Sequence, residues 1–194
     1  VIGFSDIQAD LAAKLIKANL QVLIFNQRSI EEILEVILTI GRIVAAEDKA
    51  QKLVDGYKKR LEKCRANSDK TQNKPKVYFE EWDDPTFSGI RWVSELIEIA
   101  GGEDIFANKS HGKLAMEREI QWSDVIEKNP DVILASWCGK PVDIDSIKKR
   151  DGWNQITAIK NNRIHEIDSS IILQPGPACL TDGLKVLEQL ITSK

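Results

Sequence analysis

The sequence predicts an α/β fold in which two units are joined by a long helix. Residues 20–25 and 131–136 are short runs rich in apolar side chains, which is typical of parallel strands covered on both faces. Residues 47–65 place their apolar side chains along one narrow helical seam, with charged residues opposite. The polar loop 67–75 then separates this helix from the second unit. We therefore expect a partial N-terminal α/β lobe at 1–43, the connecting helix and linker at 44–75, and a C-terminal α/β lobe at 76–194.

In the first lobe the pattern predicts a β-α-β unit. Residues 1–4 have the composition of a strand end, and residues 7–17 have the apolar spacing of a helix. After the strand at 20–25, Ser29 and Glu32 have the spacing of a capping box, which begins the next helix. The residues of the first helix expected to face inward are Leu11, Leu15 and Ile16.

In the second lobe, strands and helices alternate, which predicts an open parallel sheet. The predicted elements are, in order, a strand at 76–81, a helix at 90–100, a helix from Ser123 to Asn129, a strand at 131–136, a helix at 143–149, a strand at 163–167 and a final helix to Thr192. Residues 82–89, 137–141 and 169–177 are predicted loops. Gly101 and Gly102 mark the end of the first of these helices.

Composition excludes several classes of function. The 194 residues carry a net charge of −3, which argues against a general nucleic-acid binder. No apolar run reaches the roughly 18 residues that a membrane span needs. The three cysteines are widely separated, so neither a zinc knuckle nor a disulfide framework is predicted. Because the chain begins on a strand end, with neither Met nor a signal-peptide pattern, we expect further residues upstream.

The three predicted loops are the candidate ligand site, because ligands of open α/β sheets bind beyond the carboxyl ends of the strands. Each loop combines large apolar residues with Pro or Gly and only a few polar groups. This composition suits a large, partly apolar ligand. Alternatively, Trp82 and Trp137 are ordinary rim or core aromatics.

Catalytic motifs are missing from the sequence, which contains no GxSxG, P-loop or GxGxxG pattern, and its two histidines are expected to be structural or solvated. Cys138 could bind a soft metal, but it is a single thiol. The densest acidic cluster could hold a cation or position a general base, although neighbouring strand residues face opposite sides. We favour loop solvation and turn capping for this cluster, which comprises Glu80, Glu81, Asp83 and Asp84.

The chain resembles the class III substrate-binding proteins of ABC importers, a family that includes cobalamin, ferric-siderophore and haem binders. The resemblance extends over essentially the whole chain and is most specific at residues 1–4, 41–54, 77–89, 96–106 with its Gly-Gly-x-Asp-Ile-Phe pattern, and 130–134. Segments 78–89, 136–139 and 171–178 are closest to a cobalamin-binding branch. The resemblance implies two Rossmann-like parallel-sheet lobes joined by one backbone helix, with the ligand between them and the first lobe incomplete.

The function that this resemblance implies is capture of a bulky metal chelate and its delivery to the membrane permease of an ABC importer, without enzymatic activity. Cobalamin or another corrinoid is the first expectation, and haem or a ferric siderophore is the second. Phe4 stands where the cobalamin binder has a pocket Trp. The residues expected to bind the ligand are Phe4, Ser5, Trp82, Asp84, Phe87, Trp137, Cys138, Ile172 and Gln174.

The resemblance also implies a partner and a location. Asp10 matches the acid with which the first lobe docks on permease arginines, but it also suits a helix N-terminus without any such role. The matching loop of the second lobe, 173–175, contains no Glu, so its docking acid is not identified. Such proteins work in the periplasm or outside the cell. The first β-α-β portion of the family's N-lobe is missing, so we expect either a truncated protein or a homodimer that exchanges segments.

Two functions of other classes remain open. One is an α/β metal-dependent enzyme that uses Cys138 or the acidic cluster. The other is an interaction module that has lost ligand binding, which predicts an exposed apolar surface where the missing elements belonged.

Overall fold

The computed structural model describes residues 1–3, 5–69 and 73–193, without the side chain of Asp6. The chain divides into two compact units, Val1–Asp55 and Gly56–Lys194. The boundary lies within helix α3 (Glu47–Ser68), which begins where predicted and ends three residues later than the predicted 65. The apolar seam of this helix is buried at Ala50, Val54, Leu61 and Cys64.

The first unit has the predicted β-α-β order. Strand β1 (Ile2–Gly3) pairs in parallel with β2 (Leu23–Ile24), and α1 (Ala9–Lys17) lies between them in the chain after one turn of 3-10 helix. Helix α2 (Ile30–Ile43) follows β2. Each strand is only two residues long, so β2 is shorter than the predicted 20–25.

The start and end of α2 depend on local chemistry. The Ser29 hydroxyl accepts a hydrogen bond from the Glu32 amide at 3.2 Å, and the Glu32 carboxylate accepts one from the Ser29 amide at 3.1 Å. This confirms the predicted capping box. At the other end, a Cβ at Gly41 would collide with the side chain of Ala50. Glycine therefore permits α2 and the beginning of α3 to approach closely.

The predicted burial of the first unit is wrong for several residues. Leu11 is 54% exposed and Ile16 is 60% exposed, although the helical pattern predicts that both face inward. Leu23 of β2, predicted to be covered on both faces, is also exposed. The helical period identifies the residues that share a face of α1, but period alone does not specify what covers that face.

The second unit contains a five-stranded sheet, and its parallel core confirms the predicted α/β fold. Its strands are β3 (Lys76–Asp83), β4 (Thr86–Ser88), β5 (Glu103–Asp104), β6 (Val132–Ala135) and β7 (Ile164–Glu166). The order is β4-β3-β6-β7, and β5 pairs with the beginning of β3. The β3–β6, β6–β7 and β3–β5 pairs are parallel, whereas β3 and β4 are antiparallel.

The antiparallel pair corrects the predicted loop at 82–89. Strand β3 continues to Asp83, turns at Asp84–Pro85 and returns as β4, so most of this segment is a β-hairpin. The composition of turn-forming residues indicates the reversal but not the pairing of its two arms.

The helices of the second unit are α4 (Arg91–Ile99), α5 (Trp122–Lys128), α6 (Ile144–Lys148), α7 (Thr157–Lys160), α8 (Ser169–Ile172) and α9 (Leu184–Thr192). Four of them, α4, α5, α6 and α9, lie close to their predicted positions, whereas α7 and α8 were not predicted as helices. Helix α5 begins after Gln121 rather than at Ser123. Helix α8 occupies the first part of the predicted loop 169–177. Gly101, with φ +96°, ends α4 as predicted.

The core of the second unit is built on the inner strands. Val77, Ile133 and Leu134 are fully buried, and the rings of Tyr78 and Trp153 meet edge to face with centroids 6.1 Å apart. Because β3, β6 and β7 run parallel, their carboxyl ends share one edge of the sheet. Among the described residues, no helix combines the length and apolar character needed to cross a membrane.

Candidate functional site

A groove of about 620 Å³ lies at the carboxyl ends of β6 and β7. It brings together the predicted loop 137–141 and the beginning of α8, as expected for loops that follow neighbouring parallel strands. The lining residues include Trp137, Lys140, Pro141, Glu166, Asp168 and Ser169.

Trp137 lines this groove but is largely a core residue. Its side chain is 4% exposed, and its indole Nε1 donates a hydrogen bond to Glu80 Oε1 at 3.2 Å. Only a small part of this side chain therefore borders the groove. This burial agrees with the alternative that Trp137 is a core aromatic, and its role in ligand binding stays a prediction.

Trp82 lies at the end of β3 and is half-buried against the same core. Its indole Nε1 donates to the carbonyl oxygen of Asp84 at 3.1 Å, which holds the ring at the hairpin turn. Phe87 pairs with Trp82 across the hairpin and is also half-buried. Asp84 is exposed at the turn.

Lys140 joins the two tryptophans, and sequence reasoning missed it as a site residue. Its ammonium nitrogen lies 4.4 Å from the ring centroid of Trp82 and 4.8 Å from that of Trp137. It also donates to the two carboxylate oxygens of Asp83 at 2.8 and 3.0 Å. Burial alone would raise the pKa of Asp83, but the hydrogen bonds and charge of Lys140 hold it below its ordinary value.

The two glutamates of the predicted acidic cluster are bound to different arginines. Glu80 is fully buried and accepts hydrogen bonds from both terminal nitrogens of Arg150, one of them at 2.9 Å. Glu81 faces the other side, where Arg118 donates to its oxygens at 2.7 and 2.8 Å. The predicted opposite orientation of the glutamates is confirmed, whereas solvation and turn capping do not describe Glu80.

The hydroxyl of Tyr78 completes the surroundings of Glu80 by donating to Oε2 at 2.9 Å. Burial, followed by the charge of Glu80, raises the pKa of Tyr78 well above its ordinary value. These partners satisfy the glutamate as a structural group. Across residues 1–3, 5–69 and 73–193 the structure shows no group of three His, Cys, Asp or Glu side chains that could hold a metal ion.

A second, smaller groove of about 310 Å³ lies beside the hairpin turn and is lined by Asp84, Pro85, Thr86 and Trp122 among others. Trp122 is 42% exposed, and its Nε1 donates to the Thr86 hydroxyl at 2.9 Å. The sequence gave no reason to expect Trp122 at a ligand site, because it lies beside a predicted helix cap. Of the residues predicted to bind the ligand, Asp84 borders this groove.

The remaining predicted ligand contacts are dispersed. Cys138 and Gln174 are exposed in loops of the second unit. Ile172 is fully buried, and its carbonyl accepts a hydrogen bond from Trp92 Nε1 at 2.9 Å. A direct ligand contact of the Ile172 side chain is therefore inconsistent with this structure, because the apolar pattern of the loop belongs to the buried face of α8.

Three predicted residues belong to the first unit. Ser5 is half-buried beside the first helical turn, and Asp10 is exposed in the first turn of α1. Phe4 lies outside the described residues. Their roles in ligand binding and docking stay predictions.

The comparisons with known proteins agree with the fold. Residues 1–171 match the model of a family described as Periplasmic binding protein. The Bacillus subtilis protein YvrC, described as an uncharacterized ABC transporter substrate-binding lipoprotein, is 28% identical over 189 residues, which cover 94% of this chain and 57% of that protein. A vitamin B12-binding protein of Vibrio parahaemolyticus is 24% identical over 168 residues, or 86% of this chain and 58% of that protein.

The chain thus spans 57% and 58% of the length of these two relatives. Among solved structures, Staphylococcus aureus IsdE complexed with heme superposes with a TM-score of 0.80 at 19% identity, covering 100% of this chain and 76% of that one. This likeness shows that the predicted class III α/β fold is correct.

Proposed function

Because this chain belongs to the periplasmic binding protein family, we propose that it binds a bulky metal chelate for an ABC importer, without enzymatic activity. The groove at the carboxyl ends of β6 and β7 carries this proposal. Delivery to a membrane permease and a location in the periplasm or outside the cell are part of it, and the description of YvrC as a substrate-binding lipoprotein supports them.

The size and walls of the groove suit such a ligand. Its volume of about 620 Å³ falls within the range of about 300–1,000 Å³ that is usual for small-molecule sites. Trp137 and Pro141 give the groove an apolar wall. Trp82 does not line the groove itself but contacts Lys140, which does. Most of the other lining residues are polar or charged, namely Lys140, Glu166, Asp168 and Ser169, so the groove suits a ligand that combines an apolar body with polar groups.

A corrinoid is the ligand that we place first. The vitamin B12-binding relative supports this choice, as does the mixture of aromatic residues with exposed polar groups. We propose contacts from Trp82, Phe87, Trp137 and Cys138, with Asp84 and Gln174 setting the orientation. Phe4 and Ser5 complete the proposed contact set, from which the buried Ile172 is removed.

Haem or a ferric siderophore is the second candidate, and the similarity to a heme-bound structure supports haem. A metal-dependent enzyme is less well supported, because Glu80 and Glu81 are already bound by arginines. Asp10, exposed on α1, is our candidate for permease docking. A segment-exchanged homodimer is also a proposal, which light scattering of the purified chain would test.

The decisive experiment is calorimetric titration of the 194-residue chain with cyanocobalamin, dicyanocobinamide and haemin. We expect saturable one-to-one binding of a corrinoid, and Trp82→Ala should weaken it about tenfold, as for a central aromatic contact. Met116→Ala, which removes an apolar side chain that is 75% exposed, is the matched control. Absence of binding to all three chelates would refute the proposed function.

A further inference from the structure

Lys140 occupies the surface that a stacked ligand would need. Its ammonium lies over the faces of both Trp82 and Trp137. A flat ligand and this ammonium cannot occupy the same indole faces at the same time. Any ligand that stacks on these tryptophans must therefore displace the lysine.

Two interactions hold the lysine in this position. The carboxylate of Asp83 accepts both of its described hydrogen bonds, and the π-systems of the two indoles attract the cation. The side chain of Lys140 is nevertheless 40% exposed and that of Asp83 is 27% exposed. Because exposed ion pairs contribute little stability, this arrangement can be opened at modest cost.

The same groove contains other acceptors for a displaced ammonium. Glu166 accepts a hydrogen bond from the Val142 amide through one oxygen, and Asp168 accepts one from the Ser170 amide through one oxygen. Each carboxylate retains further acceptor capacity. Lys140 lines this groove as well, so a displaced ammonium has acceptors nearby, but it gives up both hydrogen bonds to Asp83 and its contacts with the two indoles.

We propose that Lys140 is a movable cover of the aromatic surface and a specificity-determining residue for the chelate. This inference rests on the proposed function and deepens it. A chelate with a neutral, amide-bearing rim must displace the ammonium and offers no anion in return. A chelate with peripheral carboxylates offers the displaced ammonium a new partner. Lys140 therefore lowers affinity for neutral chelates relative to carboxylate-bearing ones.

The test is calorimetric titration of the wild-type chain, Lys140→Ala and Asp83→Asn with cyanocobalamin, which has an amide rim, and with haemin, which has two carboxylates. We expect Lys140→Ala to tighten cyanocobalamin binding about fivefold, or about 1 kcal/mol. Asp83→Asn should act in the same direction but less, and the double variant should not be additive, because both changes release the same side chain. Haemin should gain less from Lys140→Ala, or lose affinity.

The matched control is Lys148→Ala, because Lys148 is a partly exposed lysine that donates a hydrogen bond to Asn162 at 2.7 Å and does not line the groove. Unchanged or weaker cyanocobalamin binding by Lys140→Ala, with binding itself intact, would overturn this inference alone. Binding of no chelate by either the wild type or Lys140→Ala would refute the proposed function, and this inference with it.

Discussion

Replacing Arg150 with Met should strongly destabilise the second unit. The side chain of Arg150 is 6% exposed and that of Glu80 is fully buried, so the substitution leaves a carboxylate in the interior without its counter-charge. Removing one partner of a buried ion pair costs about 3–5 kcal/mol. Arg150 also lies over the rings of Trp122 and Trp153, at 4.9 and 4.6 Å from their centroids. These contacts place the expected loss at the upper end of that range.

Such a loss is a large part of the roughly 5–15 kcal/mol that stabilises a typical domain. The free energy of unfolding would be measured by urea denaturation, with circular dichroism as the signal and with the slope of the transition compared between variants. Arg91→Met is the matched control, because Arg91 pairs with Glu95 at a partly exposed position of α4, and the variant should lose less than about 1 kcal/mol.

The double variant Glu80→Gln, Arg150→Met should recover part of the stability, because it leaves no buried charge. The amide oxygen can still accept from Trp137, and the amide nitrogen can donate to the hydroxyl oxygen of Tyr78. A loss below about 1 kcal/mol at neutral pH would refute the reasoning, since it would mean that Glu80 does not depend on Arg150.

Three further predictions concern other parts of the second unit and of α3. Burial raises the pKa of Asp104 above its ordinary value of 3.8, so the folded protein favours the protonated carboxyl. The free energy of unfolding should therefore fall as the pH rises through the pKa of the folded state. Urea denaturation at several pH values should show this fall in the wild type and not in Asp104→Asn. Gly101→Ala should lower the free energy of unfolding by at least about 1 kcal/mol, because φ is +96° there. Cys138 should react with a thiol reagent far faster than Cys64 and Cys179, whose burial raises their pKa to about 11.

Each of these predictions has a control. Glu103→Gln, which changes the exposed carboxylate beside Asp104, is the matched control for the first prediction. Gly176→Ala should cost less than about 0.5 kcal/mol, since nothing lies within 4 Å of an added Cβ. In denaturant all three cysteines should react at similar rates. Persistent pH dependence in Asp104→Asn, a neutral Gly101→Ala, or rapid reaction of a buried thiol in the folded protein would contradict the respective prediction.

The elements that depend on local rules could be predicted from the sequence. The capping box at Ser29, the end of α4 at Gly101 and the opposite orientations of Glu80 and Glu81 all depend on interactions within a few residues. The parallel strands were recognisable because a strand covered on both faces needs a nearly continuous apolar sequence. Such features depend on steric and hydrogen-bonding interactions between residues that are close in the sequence, so they can be recognised without knowing which distant segments pack together.

The partners of the site residues depended on the tertiary structure. The ion pair between Lys140 and Asp83 joins residues 57 positions apart, and that between Arg150 and Glu80 spans 70 positions. The burial of Ile172 likewise depends on the segments that pack over α8.

By itself, the sequence determined the α/β class, the order of the longer strands and helices, and the loop that follows β6. Only the tertiary structure decided which aromatic residues line a groove, which cation covers them and which carboxylates are already paired. The physical reason is that burial and ion pairing are set by distant segments that fold against one another, and residue spacing along the chain does not encode those distances.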